Sequence, residues 1–171
     1  MNGYLAGLLR KHRSHGIIID TNLLLLYLVG IYSRPFIAKF KRTQKYSVED
    51  FDAVVGLAGN FKSIVTTPQI LAELSNLSFQ MPKSKLREYF GYLVDLLQKV
   101  REHYVEKDQL IRSNLLARIG FTDLSIIEAA KQGDYLVLTD DFETTGYLHA
   151  SKCGVINLNH IRTIQWFGHT P

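Results

Sequence analysis

Acidic residues recur at four places in the sequence where an apolar stretch or a helix pattern begins or ends. Asp20 lies between the apolar runs 16–19 and 23–29. The others are Glu73, near the start of a helical pattern, Asp123, after a Gly-Phe-Thr turn, and the pair Asp140 and Asp141, after the apolar run 135–138. One such acid alone is most often a helix N-cap or a solvated loop residue. Four of them together favour a metal-dependent site that hydrolyses phosphodiester bonds.

The proposed chemistry explains why carboxylates are needed. Phosphodiester hydrolysis requires an activated water molecule and neutralisation of the charge on the phosphate, and Mg²⁺ or Mn²⁺ supplies both. These hard cations prefer oxygen ligands and keep several waters. Several crowded carboxylates without a metal would raise at least one pKa and cost stability. The sequence therefore predicts Mg²⁺ or Mn²⁺ as the cofactor.

Other catalytic classes lack their residues. The single cysteine, Cys153, excludes a cysteine-based zinc site, and the six histidines show no convincing metal-binding spacing. No Gly-x-Gly-x-x-Gly or Walker-type loop follows a predicted strand, which argues against a nucleotide phosphate cradle. No Gly-x-Ser-x-Gly elbow is present, which argues against a serine hydrolase.

Short apolar stretches alternate with helical patterns along the chain. The pattern predicts strands at about 16–20, 61–66, 102–105, 135–139 and 154–158. It predicts helices at about 22–31, 47–58, 67–79, 82–100 and 108–119. It also predicts a helical piece that ends at about 45, a helix that starts at 121–123 with Thr122 as N-cap, and a short helix that ends at about 150. This alternation indicates one domain, 1–171, with a three-layer α/β/α sandwich and a mainly parallel sheet. The order of the strands cannot be read from the pattern.

Basic residues are concentrated in the N-terminal third of the chain. Residues 1–48 contain eight Lys or Arg and one acid, whereas the remainder carries twelve bases and fifteen acids. The densest cluster belongs to a segment at about 33–60 and consists of Arg34, Lys39, Lys41, Arg42 and Lys45, interleaved with aromatic residues. Bases alternating with aromatics suit single-stranded nucleic acid. A solvated amphipathic helix with its aromatics in the core is an equal alternative.

The composition is that of a soluble globular protein, with 46% hydrophobic and 21% charged residues. The longest uninterrupted apolar run, 23–29, is too short to cross a bilayer. Basic residues rather than a signal-peptide pattern precede the first strand. No membrane association and a cytoplasmic location are therefore expected.

Four sequence blocks resemble, in order, the motifs of PIN-domain nucleases, a family that includes the VapC-type toxins and RNA-processing nucleases. The blocks are 18–22 (Ile-Ile-Asp-Thr-Asn), 66–73 (Thr-Thr-Pro-Gln-Ile-Leu-Ala-Glu), 121–126 (Phe-Thr-Asp-Leu-Ser-Ile) and 137–141 (Val-Leu-Thr-Asp-Asp). Each block alone is weak, but the ordered set spans roughly 16–158. The chain differs from the compact toxins in a longer stretch between Asn22 and Glu73.

The resemblance implies roles for individual residues. Asp20, Glu73, Asp123 and Asp141 would be catalytic, and Asp20, Asp123 and Asp141 would hold the metal. Asp141 is preferred to Asp140 because family members commonly show Thr-any-Asp in the last block. Asn22, Thr139 and Asp140 would be supporting polar residues near the site.

The resemblance also implies an activity and partners. The first hypothesis is a Mg²⁺- or Mn²⁺-dependent endoribonuclease, which could be the toxin of a toxin–antitoxin pair and would then have an antitoxin protein as partner. A homodimer is expected from the family and from apolar helix stripes. The alternatives are a structure-specific DNA nuclease and a catalytically silent RNA-binding or scaffold domain. A silent domain would be expected to lose one or more acids, and this chain keeps all four.

Overall fold

A computed structural model describes residues 3–167 of the chain and the side chains of residues 3–162. Its centre is a five-stranded sheet in which every neighbouring pair is parallel. The strands are β1 (Ile17–Ile19), β2 (Ile64–Thr66), β3 (Arg101–Glu102), β4 (Leu136–Thr139) and β5 (Val155–Asn157), in the spatial order β3-β2-β1-β4-β5. The predicted fold class, a three-layer α/β/α sandwich, is confirmed.

Helices connect the strands and surround the sheet. They are α1 (Gly3–His12), α2 (Thr21–Tyr32), α3 (Val48–Ala58), α4 (Pro68–Ser78), α5 (Lys83–Leu97), α6 (Lys107–Ile111), α7 (Leu116–Gly133), α8 (Phe142–Ala150) and α9 (Leu158–Phe167). A short 3₁₀ helix, Arg34–Phe36, follows α2. No helix in the described part of the chain is long and apolar enough to cross a membrane.

The strand order creates a crevice between β1 and β4. The chain runs outward from β1 to β2 and β3, then returns to the other side of β1 for β4 and β5. The two neighbours β1 and β4 are in register, with Ile18 opposite Val137 and Ile19 opposite Leu138. In open α/β sheets, ligands bind outside the carboxyl ends of the strands at such a reversal. Asp20 and Asp140 follow these two strand ends directly.

The central strands and α2 form the core. The three isoleucines of β1 are fully buried, as are Leu23 and Leu26 on α2. Gly30 allows α2 to approach α3, since a Cβ there would lie 2.2 Å from the Phe51 ring. Burial of β1 and of residues 23–26 and 28–30 in α2 explains why these elements read as continuous apolar runs.

Side-chain caps fix the helix starts that follow the strands. Asp20 accepts a hydrogen bond from the Leu23 N–H at the start of α2. Thr67 caps α4 through the Ile70 N–H, with Pro68 as the first helical residue, as predicted. Such caps satisfy backbone donors that no helical carbonyl can reach.

Several sequence-based elements differ from the structure. The predicted helix to about Lys45 is wrong: after Arg34–Phe36 the chain forms successive turns, in which buried Thr43 donates its hydroxyl to the Ile37 carbonyl at 2.8 Å. Thr122 is not an N-cap but lies within α7, which is interrupted by Gly120 at φ 75 and ψ 179. The helices α1 and α9 were not predicted.

Candidate active site

Asp20 lies at the tip of β1 with its side chain only 6% exposed. One carboxylate oxygen caps α2 at 2.9 Å, and the other accepts the Asp140 N–H at 3.3 Å. The Asp20 N–H in turn donates to the Leu138 carbonyl at 3.0 Å. These bonds fix the carboxylate in the crevice between β1 and β4.

Burial raises the pKa of Asp20 to about 7, because water no longer solvates its charge. Hydrogen bonds from the Thr139 hydroxyl and the Leu23 N–H lower it in part, while the negative charge of Asp140 raises it further. No Lys or Arg side chain in the described residues forms an ion pair with Asp20. Its charge at neutral pH is therefore poorly compensated by the protein.

Asp123 is a second carboxylate with an elevated pKa. Burial in α7 raises its pKa to about 6, and the nearby charges of Asp141 and Glu73 raise it further. A hydrogen bond with the Thr144 side chain lowers it only in part. One electrostatic group is therefore formed by Asp123 in α7, Glu73 in α4 and Asp141 at the N-cap of α8.

Glu73 is oriented by a threonine next to Asp20. The Thr21 hydroxyl donates to Glu73 Oε2 at 2.9 Å, which joins α2 to α4 at the site. The sequence did not single out Thr21 as a functional residue. The order Ile-Asp-Thr is the only local signal for Thr21, because it places a hydroxyl directly after the strand-end aspartate, at the start of a helix.

A buried hydroxyl pair connects α4 to α7. Thr67 Oγ1 lies 2.8 Å from Ser125 Oγ, and Ser125 donates to the Thr122 carbonyl at 2.7 Å. Both hydroxyls are completely buried. Because Ser125 lies two residues after Asp123, this pair fixes the position of the α7 segment that carries Asp123. Sequence reasoning identified Thr67 only as the N-cap of α4 and predicted neither Ser125 as a site residue nor the contact between the two hydroxyls.

The adjacent acids Asp140 and Asp141 have different surroundings. Asp140 Oδ2 accepts from Lys45 Nζ at 2.7 Å and from the Tyr46 hydroxyl at 2.9 Å. Asp141 caps α8 through the Thr144 N–H at 2.6 Å. The negative charge of Asp141 raises the pKa of Asp123, whereas the negative charge of Asp140 raises the pKa of Asp20. The two carboxylates therefore belong to different halves of the site.

Thr139, at the end of β4, connects these halves. Its hydroxyl oxygen accepts the Asp141 N–H at 3.0 Å, and its side chain also hydrogen-bonds to Asp20. It is fully buried. Asn22, the other polar residue expected to support the site, is exposed in the first turn of α2.

A group of residues distant in sequence anchors Tyr46, and sequence reasoning missed it. Arg162 forms a two-point ion pair with Asp50, with both N–O distances 2.7 Å, and its guanidinium carbon lies 5.7 Å from the centre of the Tyr46 ring. Burial, followed by the charge of Asp140, raises the pKa of Tyr46 above its ordinary value. Tyr46 therefore stays protonated and donates to Asp140.

Two of the aromatic residues interleaved with the basic cluster at 34–45 are turned inward, whereas Tyr32 and Phe36 are half-buried. Phe40 and Tyr46 are 3% and 4% exposed, so their rings are not available for stacking on bases. The cations point outward, but three of them have partners: Arg34 pairs with Asp52, Arg42 Nε donates to Gln80 at 2.7 Å, and Lys45 pairs with Asp140. Lys39 and Lys41 are exposed.

The carboxylates suit a hard cation in chemistry, but they are not gathered into one cluster. Among the described residues no three His, Cys, Asp or Glu side chains lie close enough together to hold a metal ion. The acids form two groups, Asp20 with Asp140 and Asp123 with Glu73 and Asp141. An all-oxygen set with two elevated pKa values fits Mg²⁺ or Mn²⁺. Binding would require side chains of the two groups to converge.

Comparison with protein-family models gives no match for this chain, and comparison with curated proteins gives none either.

Proposed function

We propose that this chain is a Mg²⁺- or Mn²⁺-dependent ribonuclease of the PIN-domain type, which cleaves within single-stranded RNA. The proposal rests above all on one observation: a buried aspartate at the β1–β4 reversal has a pKa of about 7, and no Lys or Arg side chain in the described part of the chain pairs with it. A buried charge of this kind is costly unless a cation compensates it. The second elevated carboxylate, Asp123, supports the same conclusion.

The acidic and polar side chains of the site would have different roles in the reaction. Asp20, Asp123 and Asp141 would hold the cation, which when bound would activate water and neutralise charge on the phosphate. Glu73, oriented by the Thr21 hydroxyl, is placed to accept a proton from water or to position it. Thr139 would keep Asp20 and the 140–141 backbone in register. Asp140, already bonded to Lys45 and Tyr46, would fix the neighbouring segment rather than bind metal.

The experiment compares three substrates. Purified protein is incubated with labelled single-stranded RNA, single-stranded DNA of the same sequence, and duplex DNA, each with Mg²⁺, with Mn²⁺ or with EDTA. The proposal expects internal cuts in the RNA with either metal and none with EDTA. Preferential cutting of DNA would instead indicate the DNA nuclease. RNA binding without cleavage under any metal condition would indicate the silent RNA-binding domain.

The proposal extends to partners. As a toxin, the chain would act on cytoplasmic RNA and be inhibited by an antitoxin protein, and co-expression with the product of a neighbouring small reading frame tests this.

A homodimer is supported by apolar side chains on α2 and α5, where Ile31 is 47% and Val94 51% exposed. Sedimentation equilibrium of the wild type and of Ile31→Asp with Val94→Asp measures this directly, and a monomeric wild type would contradict the dimer.

A further inference from the structure

A basic groove lies at the end of the sheet opposite the acidic residues. It is formed where the loop between α1 and β1 meets the loop between α3 and β2, next to the amino ends of both strands. Its volume is about 480 Å³, and it is lined by Arg10, Arg13, Ser14, Gly59, Asn60, Phe61 and Lys62. The lining contains three cations and no acid.

Backbone hydrogen bonds hold the two loops together. The Lys62 N–H donates to the Arg13 carbonyl at 3.0 Å, and the Ile17 N–H donates to the Ser63 carbonyl at 3.0 Å. Gly16, at φ 129, permits this approach, since a Cβ there would lie 2.9 Å from the Ser63 carbonyl oxygen. The backbones of Arg13 and Lys62 are therefore held next to each other by the fold.

The three cations are available to a ligand. Arg10, Arg13 and Lys62 are exposed, and within the described residues none of them takes part in an ion pair. Lys11, on the same helix as Arg10, is different because it lies 3.6 Å from Asp134. The groove thus brings together three cations that no acidic side chain of the described residues neutralises.

We propose that this groove binds the phosphate backbone of single-stranded RNA, outside the acidic site. Arginine forks and a lysine in an open channel suit successive phosphates, and the half-buried Phe61 offers an aromatic surface for one base. The choice of RNA as the bound polymer rests on the proposed ribonuclease function. The positive charge of the groove follows from its lining residues alone. A bound strand would contact one end of the sheet while its cleavage site lies at the other.

The test measures binding without cleavage. Fluorescence anisotropy follows a labelled oligouridine of about 20 nucleotides over a range of salt concentrations, in EDTA and in an Asp20→Asn background. Neutralising three contacts should flatten the plot of log affinity against log salt by about two units, at roughly 0.7 per single-strand phosphate. The test variant combines Arg10→Gln, Arg13→Gln and Lys62→Gln.

Two controls make the result specific. A matched variant, Lys83→Gln with Arg87→Gln and Arg112→Gln, removes the same charges from exposed positions outside the groove. A second variant, Arg10→Lys with Arg13→Lys, keeps the charge and should keep most of the slope. Circular dichroism of each variant confirms folding before binding is compared.

The outcomes separate this groove from the nuclease proposal. A flattened slope in the groove variant alone supports the groove, even if the wild type cleaves no RNA. An equal slope in the groove variant and the matched variant overturns it, even if the wild type is an active ribonuclease. Binding of tripolyphosphate, measured by isothermal titration calorimetry, with no binding of the oligouridine also overturns it, because the groove would then bind a small polyphosphate.

Discussion

The two ends of the parallel sheet differ in charge and, more importantly, in how that charge is solvated. At the carboxyl ends Asp20 is 6% exposed and its pKa is raised to about 7 by burial. At the amino ends Arg10, Arg13 and Lys62 are exposed and remain hydrated. A buried charge without a partner is costly, whereas an exposed charge is not. Under the proposed function, a bound cation would relieve the cost of charge at the acidic end, whereas the basic end is already solvated by water and would exchange it for a polyanion.

The largest expected effect concerns catalysis at the acidic end. Asp20→Asn and Asp123→Asn should each reduce RNA cleavage by at least about 100-fold, because each removes a charge proposed to hold the metal or position its water. Cleavage of labelled RNA at limiting Mg²⁺ measures the loss. Asp95→Asn, an exposed acid on α5, is the matched control and should leave the rate unchanged. A near wild-type rate in either site variant would show that the acids are wrongly assigned.

The acidic end should also limit stability in the absence of metal. The pKa of Asp20 is about 7 in the folded protein and 3.8 ordinarily, so the folded state binds a proton more tightly. Stability should therefore fall as pH rises from about 4 to about 7, and Asp20→Asn should remove that loss. The three-unit difference corresponds to at most about 4 kcal/mol, and we expect a gain of about 2 kcal/mol at pH 8 because the new amide must find partners.

Urea unfolding in EDTA at pH 5 and pH 8 measures this gain. Asparagine can still cap α2, so the helix start should be preserved. The gain should be larger at pH 8 than at pH 5. A gain of equal size at both values would mean that ionisation of Asp20 is not the cause.

The two adjacent acids should differ within the acidic end. Asp141→Asn should reduce cleavage about 10-fold more than Asp140→Asn, because Asp141 acts on Asp123 while Asp140 is held by Lys45 and Tyr46. Parallel single-turnover rates for the two variants give the ratio. Equal losses would refute a one-sided arrangement, and a selective loss at Asp140 would reverse the assignment.

The smallest effect is expected from the basic cluster at 34–45. Replacing Lys41, Arg42 and Lys45 by Gln should flatten the salt dependence of RNA binding by about 0.7, since only Lys41 of the three lacks a protein partner in the described residues. The groove variant should change the slope about three times as much. Anisotropy titrations of both variants decide this, and a larger change for the 34–45 variant would locate the main RNA surface there.

The sequence could predict the parts of the molecule that depend on local patterns. The buried strands appear as apolar runs, and Thr67 with Pro68 marks a helix start that the structure confirms. The candidate acids were recognised because Asp20 and the pair Asp140 and Asp141 follow apolar runs, and because Glu73 and Asp123 lie early in helical patterns. Local patterns were therefore enough for the fold class and for the candidate residues.

The remainder depends on contacts between residues far apart in the chain. Which acids approach one another follows from the order β3-β2-β1-β4-β5, which no local pattern specifies. The segment 37–46 forms turns instead of a helix, and its Tyr46 hydroxyl bonds to Asp140, 94 residues away. The ion pair between Arg162 and Asp50 spans 112 residues. Tertiary packing overrides helix propensity in such segments.

Stabilisation by Mn²⁺ tests the central claim most directly, because it requires neither a substrate nor cleavage. A cation that binds only the folded protein stabilises it by about 2.7 kcal/mol at 100 times its Kd, which raises Tm measurably. We expect Tm of the wild type and of the groove variant to rise with MnCl₂ at pH 7.5 and then saturate. Asp20→Asn and Asp123→Asn should lose that rise, although both remain folded. A full, saturable rise in the Asp20→Asn variant would contradict a metal site at the carboxyl ends of β1 and β4.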